Sequence, residues 1–348
     1  MLLPDQEQFP AAEAPVQKGK PSFKQQAIRI AKSNTARRWI WGILRTILLL
    51  GLAFVILFPL ISKVSNSLKP AQEVFDTTVV FIPKSPTFDN YLTVIREMNY
   101  FRVLGNTVLH SFYLAAIQTV VCTLVAYGFA RFKFPGRGIL FALVIVTVVI
   151  PPQAIAFPLR VHFQYFSPQS LLWISPETIN VPHWNLMDPK YPVPIPLLLL
   201  SITGVAFKNG LFIFLLRQHF KNIPKELEEA AFIDGASYFK TFYKVMLPGA
   251  LPLMMTVFLF SFVWTYNDDF YWRTLQTNAN VMSLVVPNIA TRIMNAMQQG
   301  SESSSAATLV KEVYKQAAVM LHILPLVVLY IFTQRFFVQS IERSGLVG

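Results

Sequence analysis

Residues 226–248 read ELEEAAFIDGASYFKTFYKVMLP, a charged stretch that stands between two hydrophobic segments. Pro224 fits the first turn of a helix, and the glutamates that follow it lie near the positive end of the helix dipole. Gly235 is a natural left-handed cap, so a helix of about ten residues is expected to end there. Ser237 can cap a second helix that has an apolar face and a lysine stripe. The stretch therefore predicts two short helices outside the bilayer but close against it.

The spacing within this stretch is long and specific. Glu229-Ala-Ala231 is followed by three residues, then by Gly235, nine further residues and Val245-Met-Leu-Pro248. This pattern resembles the EAA loop of permease subunits in bacterial binding-protein-dependent ABC importers. In that family the loop is a coupling helix, which docks in a cleft of the ATP-hydrolysing subunit and transmits its closure to the membrane helices. The alternative is a solvated helix face. The resemblance implies docking by Glu226, Glu229, Ala230, Ala231, Phe232, Asp234 and Gly235.

The composition indicates a polytopic membrane protein. Of the 348 residues, 53% are apolar and only 14% are charged, which is too apolar for an ordinary soluble domain. The net charge of +12 is spread between hydrophobic runs, so it is better explained by membrane topology than by nucleic-acid binding. The only cysteine, Cys122, lies in an apolar run and is expected to be a packing residue.

Six hydrophobic segments can cross a membrane as helices of about 20 residues. The first follows a basic tail, residues 1–42, in which residues 23–41 are expected to form an interfacial helix. Pro151 and Pro152 would bend the third span locally. We therefore predict an all-α integral membrane protein with about six spans, near residues 43–61, 106–129, 139–158, 195–216, 245–264 and 317–333.

Positive charge is concentrated on one side of these spans. Lys and Arg outnumber Asp and Glu about two to one in the segments 1–42, 131–137, 217–248 and 335–348. The three loops on the opposite side, residues 62–105, 159–194 and 265–316, hold nearly equal numbers of basic and acidic residues. Since an excess of positive charge marks the cytoplasmic side, both termini and the EAA loop, residues 217–248, are predicted to be cytoplasmic. Residues 159–194 and 265–316 are then extended outer loops, which could cap the pore, touch a binding protein or be tolerated insertions.

Further motifs extend the resemblance over most of residues 40–348. These motifs are similar to segments of the maltose and glycerol-phosphate branch of carbohydrate permeases. The resemblance implies the type I ABC importer permease fold. By analogy, the chain would pair with a second permease, two ATP-binding subunits and an extracytoplasmic solute-binding protein in a bacterial cell membrane. The motifs are Asn66-Ser-Leu-Lys69, Thr87-Phe-Asp-Asn-Tyr91, Leu124-Val-Ala-Tyr-Gly-Phe-Ala-Arg131, Phe214-Leu-Leu-Arg-Gln218 and Trp264-Thr-Tyr-Asn-Asp268.

Several polar residues fall within or beside the predicted spans. Lys208 stands near the middle of the fourth span, where a charge is costly unless it faces water or a partner. A later helix start would instead leave it near the outer surface. Gln118 suits either a helix contact or a hydrated path, and the acids after the fifth span suit a polar helix end or a solute contact. The candidate translocation path therefore comprises Lys208, Asn209, Gln118, Asn267 and Asp268.

Catalytic and cofactor motifs are missing from the sequence. No Gly-x-x-x-x-Gly-Lys-Ser/Thr motif occurs, so ATP and Mg²⁺ are expected to bind partner subunits and not this chain. The five histidines show no metal-ligand spacing, and no catalytic residues are predicted. A membrane enzyme is therefore disfavoured. An ion-coupled secondary transporter and an ABC permease for a solute other than a sugar remain as alternatives, and the sequence does not name the solute.

Overall fold

A computed structural model describes the backbone of residues 23–70, 73–76, 82–167, 184–188, 190–191, 193–206, 208–276, 278–296 and 305–345. Side chains are described between residues 38 and 334 within these ranges, except for residues 305–307. The described chain is helical, and its only β interaction is an isolated bridge between Phe166 and Trp184. The helices are α1 Phe23–Ser67, α2 Asp89–Glu97, α3 Tyr100–Arg131, α4 Arg137–Val149, α5 Pro152–Gln164, α6 Ile195–Ile202, α7 Asn209–Asn222, α8 Glu226–Ile233, α9 Tyr238–Thr241, α10 Leu247–Asn267, α11 Phe270–Leu275, α12 Met282–Ala296 and α13 Ser305–Gly345.

The chain divides into two units, Met1–Ile61 and Ser62–Gly348. The described part of the first unit is the N-terminal portion of α1, whose side chains from residue 38 to 61 are all exposed. This portion is also strongly apolar, as expected of a helix that faces lipid or another subunit. The helix runs through residue 42 without interruption, so the predicted interfacial helix and first span form one continuous element.

Four described helical segments are long and apolar enough to span a membrane. They lie within α1, within α3, across α9 and α10, and within α13, and they contain the predicted first, second, fifth and sixth spans. The predicted sixth span is only the middle of α13, which continues through Gly345. The segment predicted as a long outer loop, residues 265–316, contains two helices, α11 and α12. Of the other predicted outer loop, 159–194, residues 168–183 lie outside the described residues, and its first six residues belong to α5.

The predicted third span is two helices and not one. α4 and α5 meet at an angle of 103° across Ile150 and Pro151, both of which have extended backbone. The pair Pro151-Pro152 explains the bend, since proline lacks the N–H of a helical hydrogen bond and disfavours helical geometry in the residue before it. A helix pair of this shape fits either a broken span or a re-entrant loop.

The predicted fourth span is also broken. α6 ends at Ile202 and α7 begins at Asn209, and the connection contains two residues with positive φ, Gly204 at 74° and Lys208 at 68°. Glycine tolerates this conformation, but a lysine in it is unusual and strained. The continuous helix predicted for residues 195–216 is therefore wrong at its centre.

α3 is the central element of the second unit. Its C-terminal half packs against α7 and α10 around a buried cluster that includes Tyr127, Phe212, Phe220 and Phe242. Its N-terminal end packs with α2, α12 and α13 around a second cluster. α7 approaches α4 so closely that a Cβ atom added to Gly210 would lie 2.5 Å from Thr147 Oγ1 and 2.7 Å from the Val144 carbonyl oxygen. Only glycine fits this crossing without a shift of the neighbouring helix.

Candidate coupling hairpin and membrane cavity

The segment after α7 forms a helical hairpin, residues 226–241, that we call the α8–α9 hairpin. α8 ends in a Schellman motif, in which Ala236 N donates to Ala231 O at 2.9 Å and Gly235 N donates to Phe232 O at 3.0 Å. Gly235 has a φ of 77°, as the predicted left-handed cap requires. Ser237 caps α9, its Oγ accepting a hydrogen bond from Lys240 N. The predicted helix–turn–helix is thus confirmed, and both of its capping residues are those expected from the sequence.

One face of the hairpin is open and the other is packed on the protein. Most of the predicted docking residues are exposed. Ala231 is the exception, since its side chain is buried within this chain and is not available to a partner. Small size at this position lets α8 approach its own protein closely, and not a partner as predicted. The exposed members of the set are Glu226, Glu229, Ala230, Phe232, Asp234 and Gly235.

Glu228 ties the packed face of the hairpin to α3. Its Oε1 lies 3.3 Å from Arg131 Nε, and the two side chains are only 13% and 7% exposed. The N–H of Nε is not aligned for a hydrogen bond, so the contact is an ion pair between partly desolvated charges. Tyr127 Oη donates to the same carboxylate oxygen at 3.3 Å, and Arg131 Nη2 donates to Ile223 O at 2.7 Å.

The sequence alone did not identify this link. The partners are about a hundred residues apart, and nothing in the sequence distinguishes Glu228 from the neighbouring glutamates. One signal is available in the sequence: Arg131 follows the predicted second span, on the same side of the membrane as the EAA loop. An arginine at the end of a membrane span needs an ion-pair or hydrogen-bond partner when its side chain is buried away from water.

Two of the predicted path residues line one small cavity, which we call the Gln118 cavity. It has a volume of about 40 Å³, enough for a few waters, and lies where α3, α6, α10 and α11 meet. Gln118 Oε1 accepts from Ser261 Oγ at 2.7 Å, and Gln118 Nε2 donates to Ser201 Oγ at 3.3 Å. Asp268 lines the same cavity and accepts from Tyr271 N at the start of α11. Trp264, Tyr271 and Trp272 supply its aromatic walls.

The other predicted path residues do not line this cavity. Asn267 is exposed, and its Oδ1 accepts a hydrogen bond from His322 Nε2 at 3.1 Å, which joins α10 to α13. Asn209 is fully buried, and neither its Oδ1 nor its Nδ2 has a hydrogen-bond partner among the described residues. Lys208 is exposed immediately before α7, and its Nζ lies 5.6 Å from the ring centroid of Trp264, a cavity residue. Lys208 therefore contacts a residue of the cavity wall but does not itself line the cavity.

Because α7 starts at Asn209, Lys208 lies at the end of α7 that is farther from the hairpin. α7 has 14 residues and so is about 21 Å long, and its far end adjoins the α8–α9 hairpin. Its first turn also lies beside Thr147, near the end of α4 that is remote from the hairpin.

Within the part of the chain that the structure describes, no group of three His, Cys, Asp or Glu side chains could hold a metal ion.

The family model for the inner membrane component of binding-protein-dependent transport systems matches residues 118–343, about two thirds of the chain. The chain belongs to this family. The permease is 27% identical over 300 residues to an arabinooligosaccharides transport system permease protein of Halalkalibacterium halodurans, a match that covers 85% of this chain and 93% of the relative. It is 30% identical over 298 residues to the sn-glycerol-3-phosphate transport system permease protein of Yersinia pestis, with 83% and 92% covered.

A solved structure shares the fold of the permease. A chain of a bacterial ABC transporter involved in the import of the acidic polysaccharide alginate superposes with a TM-score of 0.66 at 21% sequence identity. The match covers 86% of the permease and 96% of the alginate transporter chain. The fold is therefore that of type I ABC importer permeases, as the sequence predicted, and the permease is a transport subunit of the membrane.

Proposed function

We propose that the permease is one of two transmembrane subunits of an ATP-driven bacterial importer for sugars or oligosaccharides. The solute class is supported by relatives that are named for arabinooligosaccharides and, in Bacillus subtilis, galactooligosaccharides. An extracytoplasmic binding protein would deliver the solute, and two further subunits would bind ATP and Mg²⁺. The permease itself would bind no cofactor and catalyse no reaction, serving as a conduit within the lipid bilayer.

The two-sided α8–α9 hairpin is the observation that carries this proposal. Its open face presents acidic side chains and exposed Phe232, which suit a basic cleft with an apolar floor on a partner. Its packed face is joined to α3 by Glu228 and to α10 by a continuous helical path through Phe242–Met246. A surface that binds a partner on one side and is fixed to two membrane helices on the other is suited to transmit force.

The mechanism follows from these connections. Closure of the ATP-binding subunits would draw the hairpin inward, and the hairpin would carry the ends of α3 and α10 with it. The other parts of α3 and α10 line the Gln118 cavity, so the same movement would reshape a polar site within the membrane. This direction of coupling requires a cytoplasmic hairpin and cytoplasmic termini, as the charge asymmetry of the loops predicts.

The proposal is tested with the complete complex reconstituted in liposomes. The double variant Glu229→Lys, Gly235→Val changes the charge of the open face and places a β-branched residue at a φ of 77°. We expect solute-stimulated ATP hydrolysis to fall to the basal rate while membrane insertion is retained. Glu312→Lys is the control, because Glu312 is a half-exposed glutamate on α13. Full stimulation in the double variant, or uptake without any ATP-binding subunit, would contradict the proposal.

A further inference from the structure

Two arginines from different helices meet at the end of α3 that adjoins the hairpin. Arg137 is the first residue of α4, and Arg217 lies in the second half of α7. Arg137 Nη1 donates to Phe132 O at 3.0 Å, and Arg217 Nε donates to Phe129 O at 3.4 Å. The two accepting carbonyls lie three residues apart, at the end of α3 and just after it. Both guanidinium groups are therefore anchored to the same turn of backbone.

Each guanidinium group keeps donors for another acceptor. The central carbon of the Arg217 guanidinium lies 3.8 Å from the ring centroid of Phe141, so a cation–π contact with α4 also holds this side chain in place. A guanidinium carries five N–H donors. Among the described residues, the side chain of Arg217 donates through Nε and that of Arg137 through Nη1. The remaining N–H groups of two fixed arginines are thus available to a ligand.

The positive charge of the pair is not balanced by a neighbouring acid. Both arginines are half-buried, and no carboxylate among the described residues forms an ion pair with either of them. Burial and the charge of Arg137 together lower the pKa of Arg217. Two exposed lysines add to the cluster: Lys133 in the turn before α4, and Lys221 four residues after Arg217 on the same face of α7. Like charges at close range repel each other, so the cluster favours a bound anion.

An apolar surface leads away from these arginines into the membrane. α4 runs from Arg137 towards the bend at Pro151, and none of its side chains is buried. Ile139, Leu143 and Val146 are exposed and share one face, because they are spaced four and three residues apart. The helix is about 20 Å long, which is two thirds of the hydrocarbon core of a bilayer. A ligand that is anionic at one end and apolar along its length fits this surface.

We propose that Arg137 and Arg217 bind the phosphate group of an anionic phospholipid in the leaflet on the hairpin side, with the acyl chains along α4. The planar fork of arginine matches phosphate oxygens in a bidentate manner, and basic pockets between membrane helices suit such headgroups. A free phosphate ion or an acidic surface of a partner subunit would use the arginines but not the apolar face of α4. The bound lipid would connect the start of α4 to α7 beside the hairpin. This site is independent of the solute that the permease carries.

The test is a lipid titration of the complete complex, purified and delipidated in a neutral detergent. Phosphatidylglycerol, phosphatidylcholine and inorganic phosphate are the probes. We expect native mass spectrometry to show saturable binding of phosphatidylglycerol, with a rise in the thermal unfolding temperature that the other two probes do not produce. Arg137→Gln and Arg217→Gln should each raise the dissociation constant of the tightest phosphatidylglycerol about tenfold, as expected for one lost charged hydrogen bond. Lys240→Gln is the control, because Lys240 is an exposed cation on α9 of the same hairpin side.

Each variant is compared with itself, with and without lipid, so that a change in its own stability is not counted as lost binding. Arg217→Gln also removes the contact with Phe141, whereas Arg137→Gln leaves it in place and tests the site alone. Equal stabilisation by inorganic phosphate would reduce the site to one for a soluble ion. Equal binding of phosphatidylcholine, or unchanged affinity for phosphatidylglycerol in both variants, would overturn the lipid site. Failure of both variants to retain the ATP-binding subunits, with lipid affinity unchanged, would assign the arginines to a protein interface.

Discussion

Arg131 and Glu228 form an ion pair that is largely buried, with Nε 3.3 Å from Oε1, and this pair joins the last residue of α3 to the helix that precedes Gly235. The two charges lie close to Tyr127 and Ile223, which satisfy further groups of the pair. The hairpin is thus attached to the most central helix of the protein by electrostatics and hydrogen bonds as well as by packing.

Removal of either charge should weaken this attachment. Glu228→Ala leaves the Arg131 guanidinium without its counter-charge, and the loss of one partner of a buried pair costs about 3–5 kcal/mol. We expect a clear fall in the thermal unfolding temperature of the purified complex and weaker solute stimulation of ATP hydrolysis. Glu312→Ala removes an exposed ion pair with Lys315 and should change neither. Equal effects of the two substitutions would rule out a special role for Glu228.

The close crossing of α4 and α7 predicts that the stability of the protein depends on glycine at residue 210. Gly210→Ala places a methyl group within 2.5 Å of Thr147 Oγ1 and 2.7 Å of backbone, so the helices must separate, at a cost of about 1–3 kcal/mol. Gly128→Ala is the matched control, since a Cβ atom at Gly128 of α3 meets nothing within 4 Å. Thermal unfolding in detergent should show a decrease for Gly210→Ala and none for Gly128→Ala. A stable Gly210→Ala variant would show that the crossing is loose.

Gln118 should be needed for transport more than for insertion. Gln118→Leu removes the amide that bridges Ser201 and Ser261, and it makes the wall of the Gln118 cavity apolar. We expect a loss of uptake of tenfold or more, about the effect of one buried polar contact. Gln218→Leu changes the same residue type at an exposed position of α7 and should transport normally. Normal uptake by Gln118→Leu would limit the residue to a helix-packing role.

Lys208 combines a charge with a strained backbone, and two substitutions separate these properties. Lys208→Met removes the ammonium group beside Trp264 but keeps a side chain at a φ of 68°. Lys208→Gly removes the charge and also relieves the strain, which is worth about 1 kcal/mol. We expect both variants to transport poorly and Lys208→Gly alone to unfold at a higher temperature. Unchanged uptake in both would exclude Lys208 from the translocation path.

Local features were predictable from the sequence and long-range ones were not. The cap at Gly235, the cap at Ser237 and the bend at Pro151 follow from the chemistry of one or two residues. For the region before α7 the sequence allows either a continuous helix or a later helix start, and it does not decide between them, because the positive φ of Lys208 is set by the packing around it and not by its own preference. The contacts of Glu228 with Arg131, and of Gln118 with Ser261, join distant segments. No periodicity or spacing in the sequence encodes such pairs.

The π-helical turn Phe242–Met246 connects α9 to α10 with no loop between them. α10 then runs for 21 residues, about 31 Å, to Asn267. α9, the π-helical turn and α10 therefore form one helical rod from Tyr238 to Asn267, and the places where it can bend are the π-helical turn and Pro252. If ATP-binding subunits move the hairpin as proposed, the displacement that arrives at Trp264, in the cavity wall, would be set by how far the rod bends at these two places.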